Sequence, residues 1–182
     1  GWSDDLQGEY DGIDGVDIFP AQGVFSDALW IRSGENGNSD ANGGTALQDP
    51  LVRQAIAHAI DRITLAEQLI GPGIAVPTSW YPNTLWPDDL PFLEYNVEGA
   101  MALLAEAGWT DSNGDGTVDQ DGIELAGLRF VTTENTLRNN YQLVIQEYLA
   151  EVGIGVDIQI IPATTLFASY SDRGTLTNYE WD

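Results

Sequence analysis

The densest gathering of oxygen-bearing side chains in the sequence is Asp111-Ser112-Asn113-Gly114-Asp115-Gly116-Thr117-Val118-Asp119. Oxygen side chains at the first, third, fifth and ninth places, with glycine at the sixth, match the start of a calcium-binding loop. Such an ion takes about six to eight hard oxygens on a tight turn. Asp111, Asn113, Asp115, Thr117 and Asp119 are the candidate calcium ligands. The match breaks at the twelfth place, where a bidentate carboxylate belongs and Gly122 stands; Asp121 falls one residue early and Glu124 two late. The other reading is a polar turn whose Asp and Asn side chains bond their own backbone.

His58 is the only histidine, and cysteine is absent. Thiolate metal sites, disulfides and cysteine nucleophiles are thereby excluded, and a lone imidazole on a helix reads as a packing or surface residue. No serine sits in a Gly-x-Ser-x-Gly setting. Gly71-Pro72-Gly73 lacks a following lysine and closes a helix, so it is no phosphate loop. With 29 acids, no carboxylate pair can be singled out for glycosidase chemistry. Nothing here argues for an enzyme. The six Trp and seven Tyr are more suggestive. Trp80, Tyr81 and Trp86 lie on a stretch punctuated by Pro77, Pro82, Pro87 and Pro91, where they either line a cleft for an organic ligand or peptide or cover the helices.

Six arginines and no lysine oppose those acids, giving a formal net charge of −23 over 182 residues. Such a surface repels phosphate backbones, so no nucleic-acid partner is expected, and anionic membranes are disfavoured. It also suits a protein working in concentrated salt, where screening removes self-repulsion. No apolar run approaches the roughly 18 residues needed to span a bilayer. No export signal is recognisable; any such signal was removed or lies outside this chain.

The elements that must position these residues are read from periodicity. Residues 1–48 read as irregular, with one extended stretch from Phe25 to Ile31 and a glycine- and asparagine-rich loop from Gly34 to Thr45. Asp49 and Pro50 open a helix that the apolar spacing Val52, Ala55, Ile56, Ala59, Ile60, Ile63, Ala66 and Ile70 carries to Gly71. Proline density forbids regular structure over 74–95. Asn96 caps a second helix, Val97 to Ala107, with Ala100, Met101, Leu103, Leu104 and Ala107 inward; Gly108 terminates it and Trp109 folds back. After a turn or hairpin over 111–122, a strand from Leu128 to Thr132, a helix from Leu137 to Val152 and a strand from Val156 to Ile161 form a βαβ unit with parallel strands. Leu166 to Tyr170 starts a short helix. The fold class is α/β.

The run Asp49-Pro50-Leu51-Val52-Arg53-Gln54-Ala55-Ile56-Ala57-His58-Ala59-Ile60-Asp61-Arg62 resembles the hallmark helix of the family 5 extracellular solute-binding proteins, the oligopeptide, dipeptide and nickel-binding receptors of ABC importers. The succeeding segments agree in order: the glycine stop, the proline-rich loop, Tyr95-Asn96 leading into Ala100-Met101-Ala102-Leu103-Leu104-Ala105-Glu106-Ala107-Gly108-Trp109, the Asp- and Gly-rich turn, and Gly153-Ile154-Gly155-Val156. The resemblance covers roughly residues 49–161.

That resemblance implies a periplasmic-binding-protein-like lobe, with a βαβ unit and a mixed sheet flanked by helices. Residues 1–48 would be an incoming connection with a partial strand. Residues 49–182 would be much of the second lobe (domain III), incomplete at its C-terminus. It implies a monomeric substrate-binding component outside the cell or in the periplasm, tethered through a lipid anchor where one is present. Such a protein takes a small peptide or other solute between two lobes, delivers it to ABC permease subunits and requires no cofactor. Open α/β sheets bind at their strand ends, so Thr133, Glu134 and Asn135 are candidate ligand contacts. Arg173 is another, near where peptide binders place a basic group for a ligand carboxylate. Arg53, Asp61 and Arg62 read as structural. A calcium-dependent adhesive or structural module is the competing reading.

Overall fold

The computed structural model describes residues 8–10, 12–17, 27–33, 44–72, 74, 76–78 and 91–182. By internal contacts the chain divides into two compact units, Gly1–Leu29 with Arg62–Leu93, and Trp30–Asp61 with Glu94–Asp182.

In the second unit, a 3-10 turn, Gly44–Gln48, leads into helix α1, Pro50–Ala59. Its start is fixed locally: Asp49 Oδ1 accepts the amide of Leu51 at 2.8 Å, and Pro50 takes a position whose amide needs no partner. Val52, Ala55, Ile56 and Ala59 form its buried stripe. The guanidinium of Arg53 folds back to donate to the carbonyls of Leu47 and Gln48, both at 2.8 Å. The turn expected to be irregular is thus anchored, and its Ala46 and Leu47 are buried.

The single helix expected from 50 to 70 is two helices, α1 and α2 (Arg62–Leu69). Ile60 is extended, with φ −100° and ψ 115°. The carbonyl of His58, which would accept the amide of Arg62 in a continuous helix, instead accepts that of Asn96 at 2.8 Å. The break falls where the two units divide. The apolar phase restarts with it: Ile63 is half-exposed and Leu65 is buried in its place. In the first unit, Arg62 donates to the carbonyl of Leu93, and its guanidinium lies 4.3 Å from the centre of the Phe92 ring. Burial lowers its pKa from the ordinary arginine value.

Helix α3, Val97–Glu106, packs on α1 through Ala100 and Leu104. Asn96 caps it by accepting the amide of Gly99 at 2.9 Å. Gly108, at φ +89°, reverses the chain so that Trp109 donates to the carbonyl of Leu104 and is buried. Met101, expected inward, is exposed.

Antiparallel strands β1 (Asp119–Gln120) and β2 (Ile123–Glu124) turn through Asp121 and Gly122, both at positive φ, the geometry a two-residue hairpin of this sequence favours. Strand β3 (Leu128–Thr133), helix α4 (Thr136–Glu151) and strand β4 (Val156–Ile161) form the expected unit, with β3 and β4 parallel from Leu128 opposite Val156 to Thr133 opposite Ile161. Among the described residues both pairing senses are present, in two separate two-stranded sheets. Leu125, Leu128, Ile145, Leu149, Val152 and Ile154 close the core around this unit. Gln142, a polar residue on α4, is also fully buried and donates to the carbonyl of Phe130 at 2.6 Å. The final helix, α5, spans Ala163–Leu166, earlier than the expected Leu166 start, because Pro162 supplies the extended residue ahead of it.

Candidate functional site

Parallel pairing puts the ends of β3 and β4 side by side, Thr133 opposite Ile161, at the edge where α4 begins. Of the three residues expected to follow the strand here, Thr133 ends β3 itself, and Glu134 and Asn135 lie beyond it. Their states differ. Thr133 is buried and its hydroxyl accepts from Arg138 Nη1 at 3.5 Å. The side chain of Asn135 caps α4, accepting the amide of Arg138 at 3.0 Å. Glu134 is exposed between them.

Arg138 belongs to this edge and escaped the sequence reading. A cation in the first turn stands at the positive end of the helix dipole, so the helix alone gives no reason for it. The signal was available: an arginine three residues after a capping asparagine is directed back over the strand end. The edge thus presents one carboxylate and one guanidinium within five residues.

The chain leaves the same edge through Pro162 into α5 and a turn-rich segment. Thr175 and Leu176 donate to the carbonyls of Thr165 and Leu166 there. Phe167 and Tyr170, expected within a helix, are instead surface residues, 63% and 73% exposed. Arg173 lies in this segment, exposed and at φ +56°. No hydrogen bond or ion pair among the described residues joins its side chain to Thr133, Glu134 or Asn135. Trp80, Tyr81 and Trp86 lie outside the described residues.

The oxygen-rich loop is engaged with itself. Asp111 accepts the amides of Gly114 and Gly116 at 2.7 and 3.0 Å, Asn113 that of Asp115 at 2.9 Å, and Asp115 that of Thr117 at 2.8 Å. Asp119, buried, accepts both the amide and the hydroxyl of Ser112, at 2.9 and 2.7 Å. The pKa of Asp119 is lowered by the Ser112 hydroxyl and then its amide, and that of Asp115 by the Thr117 amide and then Asn113. Thr117 thus serves this ring chiefly through its amide. Among the described residues no group of three or more His, Cys, Asp or Glu side chains is disposed to hold a metal ion. Gly122, in place of the carboxylate a calcium loop would carry, sits in the β1–β2 turn.

A family model described as "Bacterial extracellular solute-binding proteins, family 5 Middle" matches residues 19–181. The chain belongs to this family. The oligopeptide-binding protein AppA of Bacillus subtilis is 38% identical over 126 residues, covering 65% of this chain and 23% of AppA. The structure of AppA with a nonapeptide aligns with a TM-score of 0.57 at 37% identity, over 69% of this chain and 26% of that one. An oligopeptide-binding protein from Thermus thermophilus, complexed with a pentapeptide, aligns with a TM-score of 0.66 at 30% identity, over 75% and 23% of the two chains. NikA from Brucella suis, in complex with Fe(III)-EDTA, aligns with a TM-score of 0.60 at 26% identity, over 68% and 25%. The chain therefore spans about a quarter of the length of these family 5 relatives. Its α/β fold is that of periplasmic binding proteins. Among the described residues no helix is long and apolar enough to cross a membrane.

Proposed function

We propose that this chain supplies part of one lobe of an ABC-importer receptor that captures a short peptide between two lobes and hands it to the permease. The observation that carries the reading is the end of the parallel β3–β4 pair, with exposed Glu134 and with Arg138 bonded to Thr133, in a chain of this family. Open α/β sheets take ligands at this end of their strands, and closure on a ligand follows as a hinge motion. A carboxylate and a guanidinium suit the two charged termini of a peptide, while Phe167 and Tyr170 offer apolar surface to its side chains. Peptide is favoured over other solutes because AppA and the Thermus protein are described as oligopeptide-binding. The receptor acts outside the cell or in the periplasm, performs no chemistry and works as a monomer.

Calorimetry on the receptor that carries this chain tests the reading. Short peptides should bind and neutral oligosaccharides should not, and Glu134→Gln with Arg138→Met should weaken peptide binding by about a hundredfold or more, the loss of two charge-assisted hydrogen bonds. Binding of oligosaccharide in preference to peptide would contradict it.

A further inference from the structure

We propose that this chain is a salt-requiring fold, held compact by a diffuse cloud of counter-ions and loosened as ionic strength falls. The inference stands apart from the receptor reading and rests on how the charges are used.

The 29 acids face six arginines, and two of the six are committed to backbone carbonyls. Arg53 bonds the carbonyls of Leu47 and Gln48; Arg62 bonds the carbonyl of Leu93 and stacks on Phe92. Arg129 does meet an acid, Asp182, at 3.0 Å. Two of the few cations are thus taken up by backbone carbonyls, with no ion pair among the described residues.

Acids also stand where the backbone disfavours them. Glu106 ends α3, and Glu147 and Glu151 end α4, one turn apart, and neither helix has a basic residue in its last turn. Like charges at that spacing repel, and the C-terminal end of a helix carries partial negative charge. The field is felt nearby: burial first, then the carboxylates of Glu151 and Asp61, hold the Tyr95 phenol above its ordinary pKa, and burial followed by Asp61 does the same for Tyr148.

Screening length sets the expected form of the response. It is about 10 Å at 0.1 M salt, so acids across the unit feel one another, and about 3 Å at 1 M, so they no longer do. Stability gained by screening therefore climbs steeply at low salt and levels off near 1 M. Salting-out of apolar surface instead keeps growing with concentration and depends on the anion. A diffuse cloud does not select among monovalent cations, so sodium and potassium act alike.

The test is the melting midpoint of the 182-residue chain in NaCl, KCl and Na2SO4 from 0.05 to 3 M, with sucrose as the uncharged control. The expected result is a rise of about 10 °C or more by 1 M followed by a plateau. The three salts should fall on one curve against ionic strength, and sucrose should give no such curve. The triple variant Glu106→Gln, Glu147→Gln, Glu151→Gln should melt higher than the parent at 0.05 M and gain less from salt. A flat or falling midpoint, a chain unfolded at every ionic strength, an unsaturated rise led by sulfate, or an unchanged salt increment in the triple variant would each overturn the proposal.

Discussion

Asp182 makes four hydrogen bonds with Arg129. Its carboxylate accepts the amide and Nε of Arg129 at 2.8 and 3.0 Å and Nη2 at 3.3 Å, while its own amide donates to the Arg129 carbonyl. Its carbonyl in turn accepts the amide of Arg32 at 2.7 Å, and Arg32 donates to the Tyr179 carbonyl and lies over that ring. The Asp182 side chain is 2% exposed against 24% for Arg129. Arg129→Met would leave a buried carboxylate without its guanidinium, and a loss of about 2 kcal/mol is expected in urea denaturation. A loss below about 0.5 kcal/mol would show the pair to be incidental. Sequence reading could not have found this contact, because Arg129 and Asp182 are far apart along the chain and neither lies in a motif. Gln142 escaped for another reason: a polar residue on an apolar face reads as solvent-facing unless the carbonyl it reaches is known.

Also at the residue scale, two titrations follow from the lowered and raised pKa values. Asp119 has a folded pKa below the ordinary 3.8. Its stabilising contribution is therefore complete above that value and disappears as pH falls below it toward the folded value. Asp119→Asn should blunt the acid sensitivity of the loop amides in hydrogen exchange below about pH 4; an acid response identical to the parent would contradict this. Tyr148 is shifted the other way, above 10.0. Its contribution is present below pH 10.0 and is lost as pH rises through the higher folded value, so Tyr148→Phe should move the alkaline unfolding midpoint upward.

Elements whose ends are set by neighbours in sequence were legible. Asp49 and Asn96 each cap the helix after them, and Gly108 and Gly153 each end one at positive φ, whereas the capping of α4 by Asn135, read as a ligand contact, went unread. Gly153 is doubly constrained: at φ +81°, a Cβ there would stand 2.9 Å from Val118 Cγ1 and 3.0 Å from its amide nitrogen. Gly153→Ala is expected to cost about 2 kcal/mol or more, measured by chemical denaturation. Asn96→Ala should cost about 1 kcal/mol through the lost cap. A Gly153→Ala effect smaller than that of Asn96→Ala would contradict this ranking. What sequence could not show was the break at Ile60, because it depends on a hydrogen bond to the His58 carbonyl from Asn96, far along the chain. The apolar spacing runs through the break, and no local signal announces it.

For the whole molecule, three successive motifs made the family legible, since they combine caps, glycine stops and a βαβ unit in a fixed order. The proposed ligand contacts were only partly so. Thr133, Glu134 and Asn135 follow from strand-end geometry and Arg138 from its place three residues after Asn135, whereas Phe167 and Tyr170 become visible once β4 is placed beside β3. The central claim is that this strand end faces the solute. Hydrogen exchange of the intact receptor, with and without saturating peptide, tests it most directly. Slowed exchange is expected across residues 133–138 and 161–168, with Leu128 and Val156 at the opposite strand ends unchanged. Peptide binding that leaves 133–138 and 161–168 untouched, or protects the opposite ends instead, would contradict it.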